Sequence, residues 1–247
     1  MMFPNFKDKH LEEALFNPED FIKYSGIKKH FKSILPKKYI IIYDKKFFQR
    51  ISRKYKLKKI GKILGGQVYY FGKFGVIFMK GIGSPHAVTI FEELISLGGK
   101  EFINIGLAGG LQKQGFFLCE KALRDEGTSY HYITHGDFSY PDEKLTERLG
   151  KSLDKLNIKY EKAPTWTIDA PYRETKAEIS EYKKKGIATV EMEASALFAV
   201  AKFRKVKIAS AFVVSDVLGE KWEPNFHKID VKKGLNKLFD SALECLK

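Results

Sequence analysis

Two glutamates flank a methionine where an apolar strand is expected to give way to an apolar helix. Residues 189–201 read TVEMEASALFAVA, which places Glu191 and Glu193 at this junction. The macrodipole at a helix N-terminus favours acidic side chains for structural reasons alone. Two carboxylates could equally accept hydrogen bonds from the hydroxyl groups of a bound polyol. The pattern by itself leaves both interpretations open.

A third carboxylate, Asp216, ends the strongly apolar run KIASAFVVSD at residues 207–216. A carboxyl group at the mouth of a strand, partly withdrawn from water, can serve as a general acid. It can also cap the segment that follows. On this feature alone, the two roles are equally good predictions.

Glycine-rich turns follow two of the expected strands, with the sequences GIGSPH (81–86) and GLAGG (106–110). Glycines let backbone N–H groups approach a ligand closely, particularly an anion, although tight turns in a packed sheet need them too. Neither turn fits the dinucleotide fingerprint or the P-loop. The polar loop RDEGTSYHY (124–132) contains Ser129 and His131, but its glycine does not belong to a G-x-S-x-G elbow, so a hydrolase triad is disfavoured.

The elements that must position these residues mostly alternate between strand and helix. Apolar runs such as KYIIIYD (38–44) and FINIGLAGG (102–110) are typical of buried strands, and DEKLTERLGKSLDKLNI (142–158) of an amphipathic helix. This order predicts an α/β fold with three layers, in which helices cover both faces of a central mixed sheet. The loops after Lys80, Ile105, Val190 and Val214 are expected to meet at the carboxyl edge of that sheet, where ligands bind.

The composition restricts the function further. The net charge is +14, but the lysines are spread along all 247 residues without a compact basic stripe, so nucleic-acid binding is not expected. No run of 18 apolar residues and no apolar signal-peptide core occurs, which predicts a cytoplasmic protein that does not enter a membrane. The distant Cys119 and Cys245 predict neither a disulfide nor a metal site, and no cofactor is expected.

Taken in order, GIGSPHAVTIFEELISLG, NIGLAGGLQ, RDEGTSYHY, VEMEASALFAVA and VVSD resemble the nucleoside phosphorylase family. This is the branch that contains hexameric purine and uridine phosphorylases and the methylthioadenosine nucleosidases. The resemblance covers roughly residues 75–218. The segment TWTIDAPYRET is similar to one found in a microbial subgroup of uridine-phosphorylase-like proteins. The resemblance implies a single phosphorylase-like domain over 1–247, with residues 1–35 as an N-terminal arm that can contact a neighbouring subunit.

The resemblance also implies roles for particular residues. Met192 would pack against the ribose, Glu193 would accept hydrogen bonds from its 2′- and 3′-hydroxyls, and Glu191 would support them. His10 would reach the 5′-hydroxyl in a neighbouring subunit, or is a plain surface histidine. A homo-oligomer built from dimers, such as a hexamer, is expected. The residues implied for the base pocket are Ala108, Gly109, Val190, Pro171 and Tyr172, with Trp166, Asp169 and Arg173 as further candidates.

Asp216 matches the purine-cleaving members, in which the aspartate protonates the leaving base at N7. Uridine phosphorylases usually lack this aspartate. The resemblance therefore favours a purine nucleoside, against the uridine-like signal of TIDAPYRET.

The chain departs from the family where phosphate should bind. The family's Gly-Asp-Pro-x-Arg motif reads YDKKF at 43–47, so Asp44 remains but Phe47 replaces the arginine. Asn104 and Leu107 stand in place of a second arginine and a threonine, and the nucleosidases also carry asparagine there. Lys45 or Lys46 could replace a lost phosphate contact, whereas Asp44, Glu12 or Glu13 cannot be assigned the water-activating role of the nucleosidase glutamate. We therefore expect a nucleoside phosphorylase using phosphate, with a hydrolytic nucleosidase or a non-catalytic nucleoside-binding homologue as alternatives.

Overall fold

The computed structural model describes residues 4–31 and 35–247, and one mixed sheet runs through most of this part of the chain. The strands are β1 (Lys38–Ile42), β2 (Lys58–Ile63), β3 (Gly66–Phe71), β4 (Phe74–Met79), β5 (Glu101–Gly110), β6 (Phe116–Asp125), β7 (Phe138–Ser139), β8 (Glu161–Ile168), β9 (Thr189–Glu191), β10 (Lys207–Leu218) and β11 (Trp222–Pro224). The helices are α1 (Pro18–Ser25), α2 (Lys45–Lys54), α3 (Ser84–Ser96), α4 (Glu143–Lys155), α5 (Lys176–Lys184), α6 (Ala194–Arg204) and α7 (Ile229–Leu246). Short 3₁₀ turns occupy Lys9–Leu11, Ile27–His30, Ser129–His131 and Pro171–Arg173.

Two apolar layers cover the central strands, because successive side chains of a strand point to opposite faces. In β1, Tyr39 and Ile41 join the core beneath α3 and α6, whereas Ile40 and Ile42 join the core beneath α2, α4 and α7. This arrangement confirms the predicted three-layer α/β fold with a mixed sheet.

The sheet also closes on itself, which the sequence pattern did not predict. The neighbours in order are β11-β10-β6-β8-β9-β5-β1-β4-β3-β2, and β10 pairs in addition with β5. Strands β5, β9, β8, β6 and β10 therefore form a ring. The β5–β10 pairing is parallel and runs from Lys207↔Glu101 to Val217↔Gly110.

A register shift in β10 determines the position of Asp216. Val214 pairs with Ala108 and Asp216 with Gly109, so Ser215 is the extra residue of a bulge. Bulges bend a strand locally and re-aim side chains. This one leaves Asp216 at the end of the ring, beside the glycines of β5.

The predicted N-terminal arm falls partly within the described residues, since 1–3 and 32–34 lie outside them. Ile22 of α1 packs into the core beneath α3. Leu11, Leu15 and Phe16 remain exposed on this single chain. A contact between the arm and a neighbouring subunit, like the single-domain boundary itself, stays a prediction. None of the described helices combines the length and the apolar character needed to cross a bilayer.

Candidate active site

A cavity of about 870 Å³ opens beside the carboxyl-terminal half of β5. All four segments that were predicted to converge contribute to its wall, through Ile82, Gly106, Met192 and Asp216 among others. Two of them are not loops, however, because Gly106 lies within β5 and Asp216 within β10. The turn after β1 and the 3₁₀ turn Pro171–Arg173 complete it. Strands β1, β4, β5 and β10 are parallel and bring their carboxyl ends to one edge of the sheet. Strand β9 runs antiparallel to β5 and reaches the same place through its pairing of Val190 with Gly109.

Glu191 and Glu193 have different structural roles. Glu191 accepts hydrogen bonds from the backbone N–H groups of Glu193 and Ala194, both at 2.8 Å, and from the Thr167 hydroxyl at 2.5 Å. It thereby satisfies N–H groups at the start of α6 that would otherwise lack partners. Glu193 lines the cavity and accepts from the Gly83 N–H at 2.6 Å. Glu191 is thus the helix-capping carboxylate, and Glu193 retains oxygen lone pairs for a ligand.

The turn after β4 is fastened to the same junction. The Ser84 hydroxyl donates to the carbonyl oxygen of Met192 at 2.8 Å. Together with the bond between Gly83 and Glu193, this contact joins GIGSPH to VEMEA. The two motifs therefore form one rigid corner of the cavity.

Burial raises the pKa of both glutamates, and the charge of Glu193 raises the pKa of Glu191 further. Glu193 is 8% exposed and Glu191 is 6% exposed. Two adjacent carboxylates in such a place resist carrying two negative charges. A bound polyol that donates hydroxyl hydrogens to Glu193 would favour its ionised form.

Asp216, which also lines the cavity, is held by two neighbours. The Ser215 hydroxyl lies 2.7 Å from Asp216 Oδ1, and the Trp222 indole N–H donates to Oδ2 at 2.8 Å. Ser215 Oγ also lies 3.3 Å from the carbonyl oxygen of Ala108. A serine hydroxyl has one hydrogen. When it donates to Ala108, a protonated Asp216 can donate to Ser215 and still accept from Trp222, so the site accommodates the neutral acid.

A polar chain crosses the floor of the cavity near β1. The Tyr43 hydroxyl donates to Asn104 Oδ1 at 2.9 Å, and Asn104 Nδ2 donates to Ser210 Oγ at 3.1 Å. Burial, followed by the charges of Glu193 and Glu191, raises the pKa of Tyr43. Tyr43 is therefore a neutral hydrogen-bonding group.

The family can be identified at this point. The sequence model described as "Phosphorylase superfamily" matches residues 38–247. This chain belongs to the phosphorylase superfamily. The match extends beyond the motifs from 75 to 218 and includes β1, the turn after it, and α7.

Relatives of this superfamily member are named for different bases. A purine nucleoside phosphorylase of Plasmodium falciparum is 30% identical over 165 residues, which are 64% of this chain and 66% of the relative. A uridine phosphorylase of Treponema pallidum is 28% identical over 153 residues, which are 56% of this chain and 59% of the relative. The chain therefore spans less than two thirds of the length of either one.

A solved structure shows the same fold. The crystal structure of purine nucleoside phosphorylase from Toxoplasma gondii in complex with immucillin-H matches with a TM-score of 0.77 at 17% identity. The match covers 86% of this chain and 90% of that chain.

The turn after β1, for which the resemblance predicts phosphate contacts, is held by Asp44. Asp44 accepts a hydrogen bond from the backbone N–H of Phe47 and caps α2. The Phe47 side chain is buried and packs edge-on against Phe239, with ring centroids 6.0 Å apart. Among the described residues that line the cavity, Lys45 is the one with a cationic side chain. Leu107 also lines it and offers no polar group.

The predicted base pocket is assembled only in part. Ala108, Gly109 and Val190 line the cavity together. A Cβ atom on Gly109 would lie 2.9 Å from Val190 Cγ1, so only glycine fits there. Pro171 and Tyr172 reach the mouth, where Tyr172 is fully exposed on this single chain.

Four other candidates lie outside this cavity. Trp166 is fully buried, and its ring packs in the core beside Tyr182. Its indole N–H donates a hydrogen bond to the Asp125 carboxylate at 2.9 Å. Asp169 accepts from the Gly127 N–H at 2.9 Å, in the neighbouring polar loop. Arg173 is exposed and does not line the cavity wall, and His10 lies on the turn Lys9–Leu11. A role for His10 in a neighbouring subunit stays a prediction.

Sequence reasoning missed Trp222 and Glu174, which both line the cavity. Burial raises the pKa of Glu174 to about 7, and the charges of Asp216 and Glu178 add to this effect. An aromatic residue six positions after VVSD could have signalled Trp222. Nothing in the sequence around Glu174 indicated that it lines the cavity, because its position depends on the direction of the 3₁₀ turn before it.

Proposed function

We propose that this protein cleaves the N-glycosidic bond of a purine nucleoside with phosphate, releasing the free base and a pentose 1-phosphate. The observation that carries the proposal is the position of Asp216. Its carboxyl is buried, bonded to Ser215 and Trp222, and lines the same cavity as Glu193. An acid and a hydroxyl-binding carboxylate on one cavity suit a base and a sugar that are joined to each other.

The sugar is assigned to the corner formed by Met192 and Glu193. Glu193 accepts hydrogen bonds from the adjacent 2′- and 3′-hydroxyls, a task that suits a carboxylate because its oxygens only accept. Met192 packs against the ring. Glu191 keeps Glu193 in place by binding the backbone N–H of that residue. This arrangement fixes the anomeric carbon between the acid and the nucleophile.

The chemical step follows from the same placement. A phosphate oxygen forms a bond to C1′ while the bond from C1′ to N9 breaks, and the electron pair goes to the base. Asp216 gives its proton to N7, which neutralises the charge that develops on the leaving group. General-acid assistance of this kind contributes about 10²–10⁴-fold in rate. Solvent then returns a proton to Asp216.

The base is assigned to the wall formed by Ala108, Gly109 and Val190. A purine is favoured because N7 belongs to its imidazole ring, which uracil does not have. The relative named purine nucleoside phosphorylase supports this choice, and the relative named uridine phosphorylase marks the competing one.

Phosphate is assigned to the region around Asn104 and Leu107, with Lys45 as the cation and Asp44 fixing the turn that carries it. Hydrolysis is the second candidate, because Phe47 and Asn104 occupy the places of two guanidiniums. Guanidiniums bind oxyanions through two parallel hydrogen bonds, and an asparagine tied to Tyr43 and Ser210 does not replace them.

Product analysis separates these two candidates. Purified protein is incubated with inosine or guanosine, with and without inorganic phosphate, and the base and sugar products are quantified. We expect base release that requires phosphate and yields ribose 1-phosphate in equal amount. The variant Lys45→Ala is expected to raise the KM for phosphate about tenfold, the loss of one charged contact. Free ribose in phosphate-free buffer would instead establish hydrolysis.

A homo-oligomer is part of the proposal, since His10 could complete the site only from a neighbouring subunit. Sedimentation analysis tests this, and a monomer with full activity would contradict it.

A further inference from the structure

His86 is the third residue of α3, the helix that begins directly after the glycine turn GIG (81–83). Its Nε2 atom accepts a hydrogen bond from the backbone N–H of Gly81, with 3.1 Å between the two nitrogens. A ring nitrogen that accepts carries no hydrogen, so the neutral ring has its hydrogen on Nδ1. Burial lowers the pKa of His86 and favours this neutral form. The reaction described above does not use this side chain, which lies outside the cavity wall.

The imidazole ring of His86 is enclosed by two glycines. A Cβ atom on Gly65, in the turn between β2 and β3, would lie 2.7 Å from His86 Cε1, and a Cβ atom on Gly81 would lie 3.0 Å from Cδ2. Non-bonded carbon atoms normally stay about 3.5–4.0 Å apart, so the ring fits here because neither residue has a side chain. The ring therefore has a fixed position from which it binds the Gly81 N–H.

The other end of the same turn holds the carboxylate that is assigned to the sugar. The Gly83 N–H donates to Glu193 Oε1 at 2.6 Å, and Ile82 between the two glycines lines the cavity. Gly83 has a φ angle of +94°, which residues with side chains rarely adopt. Because two glycines give this turn many accessible conformations, the direction of the Gly83 N–H depends on how the turn is fastened.

His86 could instead serve only to hold the turn between β2 and β3. That turn is fastened to α3 in another way, however, because the buried Glu93 accepts a hydrogen bond from the Leu64 N–H at 2.9 Å. The hydrogen bond that His86 accepts comes from the GIG turn. Its loss would release Gly81, which lies two residues before the N–H that binds Glu193.

We propose that His86 is a positioning residue for the sugar: its bond to Gly81 fixes the GIG turn, and the Gly83 N–H then holds Glu193 in the orientation that receives the 2′- and 3′-hydroxyls. The inference rests on the proposed function, in which Glu193 binds these hydroxyls. It adds a residue that does not touch the substrate to those that determine recognition of the sugar.

Two amide variants distinguish the ring nitrogens of His86. The amide of His86→Gln reaches the position of Nε2 and can accept from Gly81, whereas the shorter amide of His86→Asn reaches only the position of Nδ1. The matched control is Thr89→Val, which removes another hydrogen bond of α3, from the exposed Thr89 hydroxyl to the carbonyl oxygen of Pro85. Thr89 does not line the cavity.

We measure kcat/KM for inosine and for 2′,3′-dideoxyinosine, which lacks both hydroxyls, at pH 8, where the imidazole ring is neutral. The inosine-to-dideoxyinosine ratio is expected to fall about tenfold in His86→Asn, because a misplaced Glu193 weakens only the substrate that has hydroxyls. The ratio should stay within threefold of the wild type in His86→Gln and in Thr89→Val. Thermal unfolding verifies that each variant is folded, and His86→Leu takes the place of His86→Asn if the latter is not.

An unchanged ratio in His86→Asn, or an equal fall in His86→Gln, would overturn the inference and leave the proposed function standing. A loss of the same size for both nucleosides would also overturn it, since His86 would then only support the fold. If the wild type cleaves no nucleoside, the proposed function fails, and the ratio of calorimetric dissociation constants for the same two nucleosides decides the inference. Absence of inosine binding to the wild type would overturn both.

Discussion

At the scale of single residues, the two glutamates of VEMEA make different contacts, and the sequence alone could not distinguish them. The helix-end argument applies to Glu191, and binding of a polyol by Glu193 stays a prediction. Glu191 binds the N–H groups at the start of α6, and Glu193 faces the cavity. The two side chains are positioned by different elements, because Glu191 is the last residue of β9 and Glu193 is the residue directly before α6.

The raised pKa of the glutamate pair predicts a pH dependence of stability. In the unfolded chain both groups titrate near 4.5, and burial raises the pKa of each in the folded protein. The folded state therefore holds protons that the unfolded state has released, and the free energy of unfolding falls as the pH rises from about 5 to 8.

The variant Glu191→Gln removes one titrating group, the one whose pKa is raised by burial and by the charge of Glu193. We compare the melting temperature of the variant minus that of the wild type at pH 5 and at pH 8. This difference is expected to be about 2–4 °C larger at pH 8, the change in melting temperature that corresponds to a free energy of about one pKa unit in a chain of this length. Thermal unfolding followed by circular dichroism measures this, with Glu220→Gln as the control, since Glu220 is exposed between β10 and β11. Parallel curves for the wild type and Glu191→Gln would contradict the explanation.

At the scale of elements, the close approach of β5, β9 and β10 positions the acid. Gly109 pairs with Val190 and with Asp216, and a Cβ atom there would also lie 3.1 Å from Leu218 Cδ1. The three strands meet at this distance because the residue has no side chain. Asp216 therefore owes its position to a glycine on another strand as well as to the bulge at Ser215.

Substituting Gly109→Ala should push β9 and the end of β10 apart. We expect kcat/KM to fall at least about tenfold, because a shift of about 1 Å misplaces the acid. The melting temperature should fall by several degrees, since overpacking costs about 1–3 kcal/mol. Gly136→Ala is the control, as the nearest atom to its Cβ would lie 4.0 Å away. Activity that survives Gly109→Ala unchanged would show that this contact does not position Asp216.

At the scale of the whole molecule, local patterns predicted the layers but not the ring. The apolar strands and amphipathic helices gave the three-layer fold, and the loops that end the strands gave the location of the cavity. The closure of β10 onto β5 depends on pairing between residues about 100 positions apart, which no local periodicity encodes.

The positions of side chains could be predicted where a motif determines them. Elsewhere the prediction of their positions failed. Glu193, Met192 and Asp216 line one cavity, as the motifs predicted. Trp166 looked like a base contact by its position in TWTIDAPYRET, but the ring faces the core because Asp125 accepts its N–H. Glu174 and Trp222 reach the cavity through turns whose direction depends on tertiary packing.

The central claim is that Asp216 gives a proton to the leaving purine, and one measurement tests it most directly. The rates of cleavage of guanosine and of 7-methylguanosine are compared in the wild type and in Asp216→Asn. The methylated base is already cationic at N7 and leaves without a proton from the protein. We predict that Asp216→Asn lowers kcat for guanosine about 10²–10⁴-fold and leaves kcat for 7-methylguanosine within a fewfold of the wild type. An equal loss for both nucleosides, or guanosine cleavage that survives the substitution, would contradict the account.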